Sequence, residues 1–213
     1  MTVELHSNSA SEQTRKRLME SAREVFSQYG FQGATVREIC RRAEANVAAV
    51  NYHFGSKDSL LAEALNFKPL IEMQSANVIA SECPRLRLRM FIHDLMFMLL
   101  DEKNPSSQCQ IMARELADPT PALDKIVREA IAPMHKHLDK MVREITGKEI
   151  GEPALRRCVH TILGQCLFYR HSQPVLKRLH PRLRYNRQEI EAIADHIAEF
   201  SLAGINHLVS KHF

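Results

Sequence analysis

Tryptophan is absent from this chain, and glycine (7) and proline (9) are scarce for its 213 residues. Barrels, sandwiches and many-turned α/β enzymes need turn residues at short intervals, so those architectures are disfavoured and long helices become the expectation. The 5 cysteines (Cys40, Cys83, Cys109, Cys158 and Cys166) are scattered, odd in number and never spaced as C-x-x-C, so neither a disulfide framework nor a zinc site is signalled. Free thiols belong to a reducing compartment, and a cytoplasmic location is expected. The longest apolar run, Leu95 to Leu100, is too short to span a bilayer, and the polar first ten residues do not make a secretory leader. No membrane partner is expected. The glycines never form G-x-G-x-x-G, and no phosphate loop or nucleophile elbow occurs, so the sequence does not announce an enzyme or a cofactor. Eleven histidines hold no H-E-x-x-H, and His135 and His137 diverge on a helix at i, i+2, so no metal site is expected either.

What is present is an ordinary globular balance, 45% hydrophobic and 25% charged, in a length that suits one or two domains. The net charge of +4 is mildly basic and compatible with a nucleic-acid partner. After a polar tail (1–11), a first helix is expected from Ser9 or Ser11, where Ser9 and Glu12 have capping-box spacing. Leu18, Ala22, Val25, Phe26 and Tyr29 give it one buried face, and Gly30 stands where a left-handed residue ends it. Thr35 and Glu38 form a second capping box and open a short helix to Ala43. Asn46 caps a third over Val47 to His53, and Ser56 caps a fourth running from Lys57 towards Ile79. Periodicity then predicts helices at 85–101, 108–117, 121–146, 153–172 and 187–211, punctuated by prolines. The expectation is an all-α chain of about nine helices.

Three helices in the first 54 residues, the second and third joined by a tight turn, describe a helix-turn-helix. Such a unit needs an apolar inner face on its third helix, which Val47, Val50 and Phe54 can supply. Its outer face must carry small or polar groups that reach base edges, and Ala48, Ala49, Asn51 and Tyr52 fit.

Thr35-Val-Arg-Glu-Ile-Cys-Arg-Arg-Ala43, Asn46-Val-Ala-Ala-Val-Asn-Tyr-His-Phe54 and Gly55-Ser-Lys-Asp-Ser-Leu-Leu61 together resemble the tetracycline-repressor (TetR/AcrR) family of bacterial transcriptional regulators. The preceding Ala22–Phe31 is similar to that family's first helix, and the recognition-helix segment is similar to that of one subgroup. The likeness covers about residues 12–72, which would be the DNA-binding domain, with 80–213 left for effector binding and dimerisation. By resemblance, Thr35 caps its helix and offers its hydroxyl to a phosphate, and Arg37 points towards bases or backbone. Ala48 and Ala49 lie closest to base edges, Tyr52 and His53 meet phosphate oxygens, and Lys57 joins the start of the fourth helix in a further phosphate site. Asn51 stands where the family usually has tyrosine, and an amide there can read an adenine. A second departure is in the turn: Glu44 stands where the family often has glycine, and a side chain in a left-handed turn costs on the order of 1 kcal/mol.

Residues 1–60 hold eight Lys/Arg and seven Asp/Glu, a charge of +1, so one head alone is a weak polyanion binder and a homodimer on a double-stranded operator is expected. The last helix carries an apolar stripe of Ile190, Ile193, Ile197 and Phe200, and the helix at 153–172 offers Ile162 and Cys166. These helices either close their own core or, as the resemblance implies, pair with a second copy, with Gly164 and Gly204 allowing close approach. The resemblance further implies a small-molecule effector pocket, for which His93, Met96, Phe97, Gln108, Arg114, Phe168 and His171 are the candidates. The expected function is a ligand-released repressor on a palindromic operator. An effector-independent architectural DNA binder and a helical-bundle enzyme are the alternatives, the first marked by a solid C-terminal domain and the second by turnover of a bound ligand. Lys177, Arg178, Arg182, Arg184 and Arg187 form a basic segment, read as a solvated loop or as an auxiliary contact to DNA or an acidic partner.

Overall fold

The computed structural model describes residues 3–65, 83–103, 106–147 and 150–210, and the side chains from Ala10 onward within the first of these. Among the described residues every regular element is helical. The chain divides into two units: one holds residues up to Asn66 together with Ser107–Ile131, the other Phe67–Ser106 with Ala132–Phe213. Sequence order and packing thus divide the chain differently, because residues 107–131 find their apolar partners among the first helices.

In the first unit, α1 (Val3–Gly33) buries Leu18, Ala22, Val25 and Phe26 and is kinked at Gly30, whose φ of 66° only glycine adopts without strain. It begins at Val3 instead of at Ser9 or Ser11. Residues 3–29 contain neither proline nor glycine, so nothing stops the helix from propagating back through the expected tail. Then come α2 (Val36–Arg42), α3 (Ala48–Phe54) and α4 (Lys57–Ala64). The expected continuation of the fourth helix towards Ile79 lies outside the described residues. Also in this unit are α6 (Ser107–Ala117), α7 (Leu123–Ile126) and a π-helical turn (Val127–Ile131). The Arg114 Nε donates to the Ser27 carbonyl at 3.0 Å, and Ile111 and Ile126 are fully buried.

The second unit contains α5 (Pro84–Leu100), α8 (Ala132–Thr146), α9 (Glu152–His171), α10 (Gln173–Leu179) and α11 (Arg187–Ser210). Leu88, Phe91, Ile92, Leu95 and Met96 of α5 meet Leu138 and Val142 of α8, Val159, Ile162 and Cys166 of α9, and Ile190, Ala194 and Ile197 of α11. Burial pushes the Cys166 thiol up to about 12, so it behaves as a small apolar side chain. The alternation Arg85–Arg89 is helical.

Two expectations are corrected by proline. Pro174 begins α10 at a first-turn position, where its missing N–H costs nothing, so part of the basic segment is helix and not loop. The single helix expected over 121–146 instead widens into the π turn at 127–131, immediately before Pro133. Pro133 has no N–H to return to the Glu129 carbonyl and its ring crowds that oxygen, which a wider turn relieves.

Because Ile197 is only 1% exposed within one protomer, Ile197→Asp buries an unpaired charge. It is expected to lower stability by about 3 kcal/mol or more, read as a fallen thermal midpoint in circular dichroism; a folded variant of unchanged midpoint would contradict this packing.

Candidate functional site

The N–H of Glu38 reaches the Thr35 hydroxyl at 3.2 Å, which fixes where α2 starts. Its end is a Schellman closure: the Glu44 N–H returns to the Arg41 carbonyl at 3.3 Å and the Ala45 N–H to the Cys40 carbonyl at 2.9 Å. This arrangement demands a left-handed residue, and Glu44 takes it with φ 51°. Asn46 then accepts the Ala48 N–H on its Oδ1 at 2.9 Å and starts α3.

Val50 and Phe54 of α3 are buried, Val50 completely. Val47, expected on the inner face, is instead 51% exposed at the N-cap of α3. The Arg15 guanidinium lies 5.1 Å from the Phe54 ring centroid and pairs with Glu63 of α4, so α1, α3 and α4 hold one another. Arg42 ties α2 to α1 through Gln28 at 3.1 Å and the face of Tyr29.

The outer surface of α3 presents Ala48, Asn51 and Tyr52, the last 80% exposed, with Ala49 half-buried. The Asn51 side-chain amide has no intramolecular partner among the described residues, so it is free to pair with a base edge. His53 is half-buried with its ring 4.9 Å from that of Tyr52. Thr35 and Arg37 are exposed at the start of α2. Lys57 does not project freely: its ammonium sits 4.2 Å from the Phe31 ring centroid, and burial lowers its pKa. The structure therefore brings Thr35, Arg37, Ala48, Ala49, Asn51, Tyr52 and His53 onto one helix-turn-helix, with differing freedom, and Lys57 at the start of the next helix.

A feature not anticipated from the sequence is the clamp on Glu38. Its carboxylate accepts from Arg41 twice and from Arg42 once, each at 2.8 Å. These bonds hold the carboxyl down to about 2, from an ordinary 4.5. Two of the head's cations are thereby engaged inside the protein. The i, i+3 and i, i+4 spacing from Glu38 was the available signal.

The effector candidates do not converge. His93 and Phe97 line a cavity of about 710 Å³ in the second unit. Met96 is fully buried in the core, and Phe168 and His171 are exposed on α9 outside that cavity. Gln108 and Arg114 belong to α6 in the first unit. Met96 and Phe97 are adjacent and both apolar, so packing alone decides which of them reaches a cavity. The nearby His93 Nε2 bonds Asp195 Oδ1 at 3.0 Å, joining α5 to α11.

The interface candidates also differ in where a single protomer places them. Cys166, Ile190, Ile193 and Ile197 are at most 7% exposed within one protomer and serve its own core, whereas Ile162, 1% exposed, also lines the groove beside Phe200. Phe200 is different, 63% exposed beside a shallow groove of about 270 Å³ that also includes Gln165, Gly204 and Leu208. A Cβ added at Gly164 or Gly204 would meet nothing within 4 Å, so no close approach inside the protomer requires either glycine.

Among the described residues no group of three or more His, Cys, Asp or Glu side chains is placed to hold a metal ion, and no helix is long and apolar enough to cross a membrane.

A recognition helix held on a buried apolar edge, with its polar edge outward, defines a helix-turn-helix DNA-binding regulator. Residues 18–64 match the family described as bacterial regulatory proteins, tetR family, and residues 84–205 match the C-terminal domain of the HTH-type transcriptional dual regulator CecR. The chain belongs to the tetR family of transcriptional regulators, in the group with the CecR C-terminal domain. It is 29% identical to CecR of Shigella flexneri over 171 residues, 75% of this chain and 76% of that protein. Its fold is that of FadR from Bacillus subtilis, solved with stearoyl-CoA (TM-score 0.70, 18% identity, 89% of this chain and 98% of the other). It is also that of AibR, solved with isovaleryl coenzyme A and operator DNA (TM-score 0.61, 20% identity, 88% and 97%).

Replacing Glu44 tests the turn. Glu44→Gly is expected to be more stable than Glu44→Ala by about 1 kcal/mol in urea unfolding, since glycine alone takes the positive φ without strain; equal stabilities would remove the left-handed requirement. The Glu38 clamp carries a sign of its own. A depressed carboxyl pKa stabilises the fold above its ordinary range, and that contribution is lost as pH falls from 4.5 to about 2. An NMR titration of the Glu38 carboxyl carbon is expected to show its midpoint near the low end, rising in Arg41→Ala.

Proposed function

We propose that the chain is a homodimeric repressor that binds a palindromic operator with one α3 in each of two successive major grooves, and that a small molecule bound in the second unit releases it. The observation that carries the DNA-reading part is the exposed edge of α3. There, Ala48 and Ala49 can contact thymine methyls, and the unpartnered Asn51 amide can pair bidentately with adenine. Thr35, Arg37, Tyr52 and His53 surround that edge and would position it on phosphates, with Lys57 and the start of α4 on the flank.

Dimerisation follows from charge arithmetic as well as from surface. With +1 on residues 1–60 and Arg41 and Arg42 committed to Glu38, a single head has few cations left for phosphates. Each phosphate that a protein neutralises steepens the log–log salt slope by about 0.9, so a second head roughly doubles a weak electrostatic grip. The surface for pairing is the exposed face of α9 and α11, where Leu167, Phe168, Phe200 and Leu208 stand open. The two helices also carry opposite charge. α9 has three arginines and one glutamate, +2, whereas α11 has one arginine, three glutamates and one aspartate, −3. Crossing α9 of one protomer with α11 of the other therefore gains both apolar burial and electrostatic fit. Recognition of two half-sites requires the heads to stand about 34–36 Å apart, and an effector that binds a different spacing more tightly shifts the population away from DNA.

Effector response is supported by the cavity at His93 and Phe97 and by relatives of the same fold that hold acyl-coenzyme A thioesters. The distance from α3 to this cavity is immaterial to the thermodynamics, which depends only on differential affinity.

Selection of bound sequences from random DNA with the purified protein is the test, and an inverted repeat is the expected product. Asn51→Ala should then relax base preference at one position of each half-site, costing about 1–3 kcal/mol there while leaving the other positions unchanged. Selection that yields no inverted repeat would overturn the proposal; uniform weakening in the variant would move Asn51 to the backbone.

A further inference from the structure

The groove of about 270 Å³ between α9 and α11 has an apolar floor, formed by Cys158, Ile162 and Ile205, each at most 7% exposed. Polar groups at its edge are already matched, since Gln165 Nε2 donates to Ser201 Oγ at 3.2 Å. The groove falls short of the roughly 300–1,000 Å³ of a small-molecule pocket. Phe200 borders it and is 63% exposed, so a large ring stands in water beside a hollow of apolar atoms.

Two features of this face have no explanation inside one protomer. Gly164 and Gly204 lie within helices, where glycine is less favourable than alanine. Neither has a positive φ, and a Cβ on either would meet nothing within 4 Å. Backbone conformation and internal packing therefore call for glycine at neither position. Charge is missing as well. Residues 158–169 of α9 and 200–210 of α11 contain no Asp, Glu, Lys or Arg, in a chain that is 25% charged. The bond from Gln165 to Ser201 joins the two stretches, and Thr161, Gly164, Phe168, Phe200, Ala203 and Gly204 are exposed on them. The acids of α11 nearest to this face, Asp195 and Glu199, are held by Arg89 of α5. Depletion of charge around an exposed aromatic is the composition of an interface centre, with charged groups left to the rim.

A ring and a hollow side by side on one face are complementary to the same face turned over. A two-fold axis that lies in the plane of contact and passes between them sets each ring over the other copy's hollow, so a second copy of the chain satisfies both at once. We propose that Phe200 of each protomer seats in the groove of the other, over Gly204, and that Gly164 and Gly204 leave the room this ring needs. This rests on the proposed homodimer and names the contact that anchors it. The contact occurs twice in each dimer, so a change at either residue counts double.

Sedimentation equilibrium of the full chain reads the dimer constant, with circular dichroism to check that each variant folds. Phe200 is exposed and a Cβ at Gly204 is unopposed, so Phe200→Ala and Gly204→Leu should both keep the helical spectrum. Phe200→Ala is expected to weaken the dimer about thirtyfold or more by emptying two grooves, and Gly204→Leu about tenfold or more by filling them. The double variant Phe200→Ala/Gly204→Leu removes ring and hollow together. It should dimerise about tenfold or more above what the product of the two single losses allows. An unchanged dimer constant in either single variant, or losses that simply multiply in the double variant, would overturn the inference and leave a homodimer held elsewhere. A wild-type chain that stays monomeric while it binds operator DNA sinks the homodimer reading itself.

Discussion

With Val50 and Phe54 turned inward, the helical repeat leaves Ala48, Asn51 and Tyr52 outward, and that division holds only while the chain reverses sharply between α2 and α3. The reversal depends on Glu44 keeping a left-handed backbone so that two N–H groups can return to the last carbonyls of α2. Cys40, buried beneath α3, and Arg15, stacked on Phe54, then have a fixed surface to pack against. A helix of seven residues has little stability alone. Its orientation is borrowed from the core below, which is why an outward edge of alanines and one amide is held in a fixed direction.

The head also shows how little net charge says about a nucleic-acid surface. Arg41 and Arg42 add two positive charges to the head, yet Glu38 engages both, and Arg15 is committed to Glu63 and Phe54. Lys57 rests on Phe31. These cations organise the helices so that the few remaining donors face outward in register. In the proposed dimer, affinity is a matter of geometry multiplied by two heads, with the complementary charges of α9 and α11 as the physical reason for the second.

In the second unit the decisive issue is which edge of an amphipathic helix meets which neighbour. The isoleucine stripe of α11 suggested an interface, but α5 lies along it, so the stripe closes the protomer and leaves Phe200 and Leu208 outside. The same rotation exposes Phe168 while sealing Ile162 and Cys166. Methionines follow this logic: Met96 fills the core, and the cavity is bounded by Phe97 one residue further on.

Capping boxes, proline positions and apolar spacing made the helices legible: Thr35 and Glu38, Asn46, Ser56 and Asn186 mark their starts within a residue or two. The reach of α1 into the expected tail, the start of α10 at Pro174 and the widened turn before Pro133 were less legible, because a proline or a cap acts differently on each side of a boundary. From its sequence alone the chain determined an all-helical class, the helix-turn-helix and the outward set from Ala48 to Tyr52, since those depend on neighbours a few residues apart. Tertiary structure alone decided which apolar stripes face inward, that residues 107–131 join the first unit, and that Phe97 and Arg184 share one cavity. Local periodicity fixes a helix's edges but not its neighbours, and those meetings, such as Arg114 with Ser27, join residues 87 positions apart.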